Sequence, residues 1–413
     1  MAQIGTQVQT VALGWLVYEL TGSAAQLGGM SLARAIPIIL LSLFGGTLAD
    51  QMDRRRLLVM TQSLLAAFSA ALAVTVMLDL ATVALLYAFA VITAAASAFD
   101  TPARQALVPT LVPRERLANA LTLVILFRNS ASVIGPAVGG LMLAGLGASA
   151  CFWLAAMSFF VVVGALLAMR PRPVEADDRR RGLAATLEGL RFVRQRGILW
   201  QLMVVDFLAT LLVSTLGLLP VFAEDVLDVG PQGFGILYAA PSVGAIIGAA
   251  IYSMMPMVRR PGHIVVVSVV GYGAMLAAFG LTTSFALALL FLAAAGALDA
   301  VSSATRQITM QLATPDAFRG RVGALGSVFY AGGPRLGQFQ SGITASLIGP
   351  QLAMAGGGLA CIIMAVTAPL WGRDLWTYRG QELAADVPTP SSASSSRHVR
   401  ATVESKPSRS SDI

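Results

Sequence analysis

Charged residues are scarce in this chain of 413 residues, where they make up only 12%. An ordinary soluble protein carries about 25% charged residues. Hydrophobic residues make up 56% of the chain, and its mean hydropathy is +0.75. A soluble fold has too little interior to bury that much apolar surface, so the composition excludes an ordinary soluble domain and predicts a membrane protein. The net charge of +7 does not indicate a nucleic-acid partner, because the arginines lie in short segments between apolar runs.

Cysteine, histidine and lysine are also scarce, and each shortage excludes a class of chemistry. Cys151 and Cys361 both lie inside apolar runs, so the chain has no disulfide framework and no metal-ligand spacing. The two histidines, one of them in the tail, do not make a metal site. A nucleotide-binding loop of the G-x-x-x-x-G-K-[ST] type needs a lysine, and the single lysine is Lys406 near the C-terminus. We therefore expect no metal, no other cofactor and no direct drive by ATP.

Long apolar runs recur along the whole chain. A run of about 20 apolar residues is long enough to cross a bilayer as a helix. The runs predict an all-α membrane protein with about twelve transmembrane helices. They lie near residues 1–21, 26–49, 57–79, 81–100, 117–144, 148–169, 199–223, 232–256, 263–282, 285–306, 320–346 and 350–372.

Arginine occurs in every second connection between these runs. The arginine-bearing connections follow the second, fourth, sixth, eighth and tenth runs, and the short intervening connections contain none. This alternation obeys the positive-inside rule. It predicts a multi-pass protein of the plasma (inner) membrane with both termini in the cytoplasm.

A polar segment in the middle of the chain separates two halves of similar length. The predicted organisation is an N-terminal six-helix half at 1–169, a cytoplasmic linker at 170–198, a C-terminal six-helix half at 199–379, and a disordered Ser-rich cytoplasmic tail at 380–413. Apolar linker residues such as Leu183, Leu187, Leu190 and Val193 recur at helical spacing. They leave two alternatives open, an amphipathic helix on the membrane surface or a solvated linker.

The two halves share a short sequence pattern. RQALVPTLVP begins at Arg104, and RQITMQLATP begins at Arg306, about half a chain later. A Gly-Pro pair follows each pattern, at 135–136 and at 333–334. Such repeats are typical of transporters built from two pseudo-symmetric halves around a central path.

The segment GGTLADQMDRRR at 45–56 resembles the loop signature of the major facilitator superfamily, G-x-L-A-D-R-x-G-R-R. The matching residues are Gly46, Leu48, Asp50, Arg54 and Arg55. Gln51 replaces a usual basic residue and Asp53 replaces a usual glycine. The stretches at 14–23, 99–113, 134–140 and 311–325 resemble one branch of the superfamily, that of the enterobactin exporter and related transmembrane secretion permeases.

This resemblance implies the major facilitator fold and secondary active transport, and no enzymatic activity. The implied function is proton-coupled export of a siderophore, drug or similar amphiphilic small molecule by alternating access, carried out by a monomer in the lipid bilayer. A transport-inactive membrane sensor or assembly partner is the alternative. A membrane enzyme is a weaker third reading, because no nucleophile–base constellation is present.

The family signature also implies a latch at the cytoplasmic ends of the helices. In the family, the acid that matches Asp50 caps a neighbouring helix, where an anion is favoured, and pairs with basic groups. We expect Arg54 and Arg55 to bond acids such as Asp100 and to hold the two halves together while the outward face is open. The expected latch residues are Gly46, Asp50, Arg54, Arg55, Asp100 and Arg104. The alternative is that the arginines only set the topology.

Ionisable residues inside predicted spans are costly and mark substrate or ion paths. The candidates for the substrate or proton path are Gln7, Arg34, Arg128, Asp206, Asp299, Arg335 and Gln338. A coupling proton needs a buried carboxyl group, which Asp206 or Asp299 would supply. The excess of arginine suits an anionic or hydroxyl-rich substrate. For Arg34 and Arg335 the alternative is snorkelling or structural pairing.

Glycine and proline inside the predicted spans indicate sites of close packing and bending. The predicted helix-bend residues are Gly135, Pro136, Gly139, Gly333 and Pro334. Small residues let helices approach closely, and proline bends them. The alternative is that glycine and proline are simply common in bilayer helices.

The first predicted helix is short, because MAQIGTQVQT is half polar and only Val11 to Leu20 is continuously apolar. We expect a truncated first helix, from a start placed too late or a shortened gene. A short, tilted helix in a thinned bilayer is the alternative. Its polar residues, Gln7 among them, are expected to line the central cavity.

Overall fold

The fold of the chain is helical throughout the part that the structure describes. This computed structural model describes residues 2–51, 53–169, 190–255, 260–315, 318–371 and 376, and these contain no β-strand. The helices are α1 Ala2–Thr21, α2 Ala24–Gln51, α3 Arg54–Met77, α4 Val83–Leu111, α5 Leu117–Ala168, α6 Gly197–Leu212, α7 Gly230–Met254, α8 Pro261–Leu281, α9 Phe285–Ala313, α10 Arg319–Ile348 and α11 Pro350–Trp371. The predicted all-α class is confirmed.

Eight of the described helices are long and apolar enough to cross a membrane. One of them, α5, has 52 residues and breaks at Gly147, whose φ of 79° lies in the left-handed region. The break divides α5 into segments 117–146 and 148–168, each about the length of one span. The predicted run at 199–223 is divided between α6, the short helix Leu219–Val221 and the π-helical turn Phe222–Val226. The count of twelve spans stays a prediction.

The outside of the bundle is apolar. Phe127, Leu347 and Leu370 are 71%, 78% and 80% exposed. Water would penalise so much exposed apolar surface, whereas hydrocarbon does not. The bilayer is therefore the solvent that suits this surface.

The two ends of the bundle differ in charge. At one end, called here the basic end, lie Arg55, Arg56, Arg116 and Arg260. At the other, the opposite end, lie the short turns from α1 to α2, α3 to α4 and α10 to α11. Residues with positive φ occur in those turns, for example Asp79 at 56° and Gly349 at 86°. Gly147 and Gly349 join consecutive spans in corresponding places of the two halves.

Glycines pack the first helix of each half against the fifth. A Cβ atom at Gly135 would lie 2.5 Å from Cβ of Gln7, and one at Gly333 would lie 2.5 Å from Oγ1 of Thr210. The first pair joins α5 to α1, and the second joins α10 to α6. The Gly-Pro motifs therefore occupy equivalent close contacts in the two halves, while the expected bends at Pro136 and Pro334 stay predictions.

The end of the predicted linker packs on the C-terminal half. Residues 190–195 are helical, Val193 is fully buried, and the ring of Phe192 stacks on Phe318 with centroids 4.3 Å apart. Residues 170–189, which include Leu183 and Leu187, lie outside the described residues. So does the predicted tail at 380–413.

Candidate functional site

The two halves meet along α2 and α10 near the opposite end. A Cβ atom at Gly342 would lie 2.8 Å from Cα of Gly28, so the two backbones touch at this point. One turn further along α2, the hydroxyl of Ser31 donates a hydrogen bond of 2.8 Å to Oε1 of Gln338. Gln338, a predicted path residue, thus lies in the contact between the halves.

A second contact of the same kind joins α5 to α7. A Cβ atom built at Gly140 or at Gly235 would lie 2.6 Å from Cα of the other glycine. The rings of Trp15 and Phe234 pack beside this contact, with centroids 5.7 Å apart. The two glycine contacts are related by the pseudo-symmetry of the halves, since each joins the second helix of one half to the fifth of the other.

A polar bond at the opposite end also joins the halves. The hydroxyl of Tyr18, near the end of α1, donates a short hydrogen bond to the carboxylate of Asp225 in the π-helical turn. Together with the glycine contacts, this bond keeps the halves in contact at the opposite end. Neither Tyr18 nor Asp225 was a sequence-based candidate, because no local pattern connects two residues so far apart in the chain.

The contact between α2 and α10 is called here the seam. Arg34 follows Ser31 of the seam by three residues on α2 and faces a cavity in the N-terminal half. The cavity is lined by hydroxyl and amide groups, and its polar lining residues are Thr6, Gln9, Thr10, Arg34, Thr93 and Ser97. Nε of Arg34 is buried and has no hydrogen-bond partner among the described residues. Arg34, Arg335 and Tyr238 of α7 are close enough to interact electrostatically. The structure thus brings two predicted path residues together and adds Tyr238 to them.

A buried charge cluster lies inside the C-terminal half, between α6, α8 and α9. Asp206 and Arg306 form an ion pair, and they are only 5% and 3% exposed. Arg306 also donates hydrogen bonds to the hydroxyls of Ser302, at 2.6 Å, and Ser303, at 2.9 Å. Asp299 lines the same small cavity. Two carboxylates therefore share the neighbourhood of one guanidinium.

Sequence reasoning missed Arg306 as a site residue because it placed the end of its span there. The run predicted at 285–306 is in fact helix Phe285–Ala313, which continues about two turns further and buries Arg306. The predicted run at 81–100 has the same error, since α4 continues to Leu111. The matched patterns at Arg104 and Arg306 were the available signal, because they place both arginines at equivalent points of a helix.

Arg104 occupies that equivalent point in the N-terminal half. It donates to Asp100, one helical turn earlier, at 2.7 Å, and Asp100 also accepts a bond of 2.6 Å from Gln62. In the C-terminal half, Ser302 stands one turn before Arg306. The acid that pairs with Arg306 is Asp206, which lies on a different helix, α6.

The segment that resembles the family signature caps two helices. The carboxylate of Asp53 accepts bonds from the backbone N–H groups of Arg55, at 2.8 Å, and Arg56, at 3.0 Å, and so forms the N-cap of α3. The guanidinium of Arg55 donates to the carbonyls of Leu166, at 2.7 Å, and Leu167, at 2.6 Å, which end α5. Both caps lie within the N-terminal half.

The expected pairing of Arg55 with Asp100 is therefore replaced by a different one. Asp100 is satisfied by Arg104 on its own helix, and Arg55 is aligned with the free carbonyls at the C-terminus of α5. The backbone of Gly46 and Asp50 belongs to the last turns of α2, and Arg54 begins α3. The side chains of Asp50 and Arg54 lie outside the described residues, so the predicted latch stays a prediction.

The hydrogen bonds of Arg55 to the end of α5 predict that lysine at this position gives a less stable protein than arginine. Arg55→Lys keeps the positive charge that orients the chain but loses the fork that reaches two carbonyls. We expect Arg55→Lys to insert normally and to lower the free energy of unfolding by about 1 kcal/mol, a typical value for lost hydrogen bonds of this kind. Thermal unfolding of the purified protein in detergent measures this. Equal stability of Arg55→Lys and wild type would show that Arg55 acts only through its charge.

Two further path candidates lie away from the cavities. Gln7 packs on Gly135 between α1 and α5, while its neighbours Thr6, Gln9 and Thr10 line the cavity of the N-terminal half. Arg128 is exposed on the first segment of α5. Neither Gln7 nor Arg128 lines either of the two cavities described above.

The fold and the sequence agree on one family. The family model described as transmembrane secretion effector matches residues 1–389. This chain belongs to that family of major facilitator transporters. Over 380 residues it is 29% identical to the multidrug efflux pump Tap of Mycolicibacterium fortuitum, an alignment that covers 89% of this chain and 92% of Tap. Over 322 residues it is 28% identical to the enterobactin exporter EntS of Shigella boydii, covering 78% of this chain and 77% of EntS.

Solved structures support the fold of this secretion-effector transporter. A bacterial homologue of the lysosomal transporter Spinster, in an inward-facing and unoccupied conformation, has a TM-score of 0.68 at 15% identity, with 94% of this chain and 97% of that chain covered. A D-xylose–proton symporter has a TM-score of 0.68 at 12% identity, with 89% of this chain and 95% of that chain covered. The predicted major facilitator fold is confirmed.

Proposed function

We propose that this transporter is a proton-coupled exporter of an amphiphilic small molecule, such as a siderophore or a drug. The observation that carries the proton coupling is the buried cluster of Asp206, Arg306 and Asp299. The similarity to a multidrug efflux pump and to an enterobactin exporter supports the direction of transport and the substrate class. We place the protein in the inner membrane as a monomer, with both termini and the basic end in the cytoplasm, in agreement with the positive-inside rule.

The charge balance of the cluster suits a proton site. With both carboxylates ionised, two negative charges face one guanidinium, and burial of the unbalanced charge is costly. Binding one proton on Asp206 or Asp299 neutralises the cluster. Because the two acids lie on different helices, α6 and α9, the proton also changes how strongly Arg306 holds those helices together.

Alternating access follows from the contacts between the halves. They touch at the opposite end through the glycine pairs and the Tyr18–Asp225 bond. Rocking of the halves, with bends at Pro136 and Pro334, would break these contacts and close the basic end. The predicted latch of Gly46, Asp50, Arg54, Arg55, Asp100 and Arg104 would form in that second state.

Transport by the purified chain in proteoliposomes tests the coupling. With an imposed pH gradient and a panel of siderophores and fluorescent dyes, wild type is expected to move at least one compound against its gradient. Asp206→Asn or Asp299→Asn should reduce this uphill transport to the level of empty liposomes while sparing exchange across equal concentrations. A neutral side chain of the same shape cannot release a proton.

Asp79→Asn is the matched control for these variants. Asp79 lies exposed in the turn between α3 and α4 with a φ of 56°, a conformation that asparagine also tolerates. The Asp79→Asn variant should therefore transport like wild type. Uphill transport by both cluster variants would place the proton site elsewhere. No gradient-dependent flux of any compound would favour the alternative function, a membrane sensor or assembly partner.

A further inference from the structure

We propose that Arg34 and Arg335 together bind an anionic group of the transported molecule, in the row of the α2–α10 contact that follows Ser31 and Gln338. This inference rests on the proposed transport function and narrows its substrate class. The ligand it predicts is an amphiphile that carries a carboxylate or a similar small anionic group.

The position of the two arginines follows from the register of α2 and α10. The helices run antiparallel, with Gly28 beside Gly342 and then Ser31 bonded to Gln338. Arg34 follows Ser31 by three residues, and Arg335 precedes Gln338 by three, so each lies on the same face of its helix as the residue in the seam. The next row of the seam is therefore an arginine from each half.

Two like charges in one row repel each other, and the repulsion grows in a medium of low dielectric constant. One donor of the Arg34 guanidinium is left unused, since its buried Nε has no hydrogen-bond partner among the described residues. A buried donor without a partner is costly and uncommon, and a ligand that accepts its hydrogen bond removes that cost. Nε of Arg306 also has no hydrogen-bond partner among the described residues, but the positive charge of Arg306 is already neutralised by Asp206.

The neighbourhood of Arg34 is suited to a polar head group. The polar residues Thr6, Thr10, Thr93 and Ser97 line the cavity beside it. Their hydroxyls already donate to backbone carbonyls of their own helices, so the guanidinium groups are the donors that an anion would use. Tyr238 adds a further hydroxyl from α7. An anion placed between the arginines would accept charge-assisted hydrogen bonds from both halves. It would also replace repulsion between the halves by a shared attraction, so occupancy would favour closure of the halves around the ligand.

Binding of a matched pair of probes to the purified full chain in detergent tests this site. The probes are dansylaminoundecanoic acid and its methyl ester, which differ in the negative charge, and dansyl fluorescence reports binding. We expect wild type to bind the acid at least about tenfold more tightly than the ester, as expected for charge-assisted hydrogen bonds. Arg34→Gln and Arg335→Gln should each lose most of this preference while still binding the ester. Arg194→Gln, which removes an exposed arginine outside the site, should keep it.

Three results would overturn the proposal. They are equal binding of acid and ester by wild type, no binding of the acid, and an unchanged preference in both glutamine variants. If a glutamine variant fails to bind even the ester, Arg34→Lys or Arg335→Lys replaces it in the test. The lysine keeps the positive charge, so this variant is expected to retain most of the preference for the acid over the ester. Uphill transport without a preference for the acid would refute this site and leave the exporter function standing, whereas a preference without transport would do the reverse.

Discussion

Arg306→Gln is expected to abolish uphill transport and to destabilise the protein strongly. The substitution removes the cation that neutralises Asp206, and both side chains are almost fully buried. Breaking a buried ion pair by removing one partner typically costs about 3–5 kcal/mol, because the other charge stays buried without compensation. We therefore expect the midpoint of thermal unfolding in detergent to fall by several degrees, together with the loss of transport in proteoliposomes.

A double substitution separates stability from coupling. Arg306→Gln combined with Asp206→Asn removes both charges and leaves two side chains that can bond each other, so most of the lost stability should return. Uphill transport should not return, because the cluster then lacks both the Asp206 carboxyl group and the Arg306 guanidinium that balances its acids.

Arg104→Gln is the control at the pseudo-symmetric position. The Arg104 side chain is 41% exposed and pairs with Asp100 one turn away. Its removal should therefore lower the free energy of unfolding by less than about 1 kcal/mol. If Arg306→Gln proved as stable as Arg104→Gln, Arg306 would not be needed to neutralise the buried carboxylate of Asp206.

Gly140→Val and Gly235→Val are expected to open the opposite end of the bundle. A Cβ atom at either position would lie 2.6 Å from the backbone of the other half, a contact that side-chain rearrangement cannot relieve. Overpacking of this kind costs typically about 1–3 kcal/mol, so the population of the closed arrangement should fall by a factor of about 5 or more.

The opening can be measured by labelling a cysteine placed in the seam. Ser31 is 8% exposed where the halves meet, so Ser31→Cys, in a chain whose Cys151 and Cys361 are replaced by alanine, should react slowly with a maleimide. Either valine substitution should raise its rate by a factor of about 5 or more. Gly164→Val is the matched control, because a Cβ atom there meets nothing within 4 Å. A labelling rate no higher than in that control would show that the glycine contact does not hold the halves together.

Hydropathy predicted the positions of the helices well, and their ends poorly. A span must be apolar to lie in hydrocarbon, so runs such as 263–282 coincide closely with a helix, here Pro261–Leu281. A helix can continue beyond the apolar run, because its backbone bonds do not depend on the bilayer. The extensions of α4 to Leu111 and α9 to Ala313 were missed for this reason.

The candidate site was predictable only where a single residue was unusual in its own span. Arg34, Asp206, Asp299 and Arg335 are costly residues in apolar surroundings, and this made them visible. Their partners depend on contacts between distant parts of the chain. Ser31 and Gln338, for example, are 307 positions apart. No local pattern encodes such a pair, although the repeat of the two halves indicated where to look.

The tight turns at Gly147 and Gly349 have a consequence for anyone who handles this protein. Each joins two spans through a single left-handed residue, so almost no polypeptide projects from the bundle there. A protease or an antibody approaching that face would find few exposed segments, and an epitope tag inserted at either glycine would force two packed helices apart. The turn between α3 and α4 lies on the same face, and its residues Leu78, Asp79 and Leu80 are exposed, so it is the better place for a reporter.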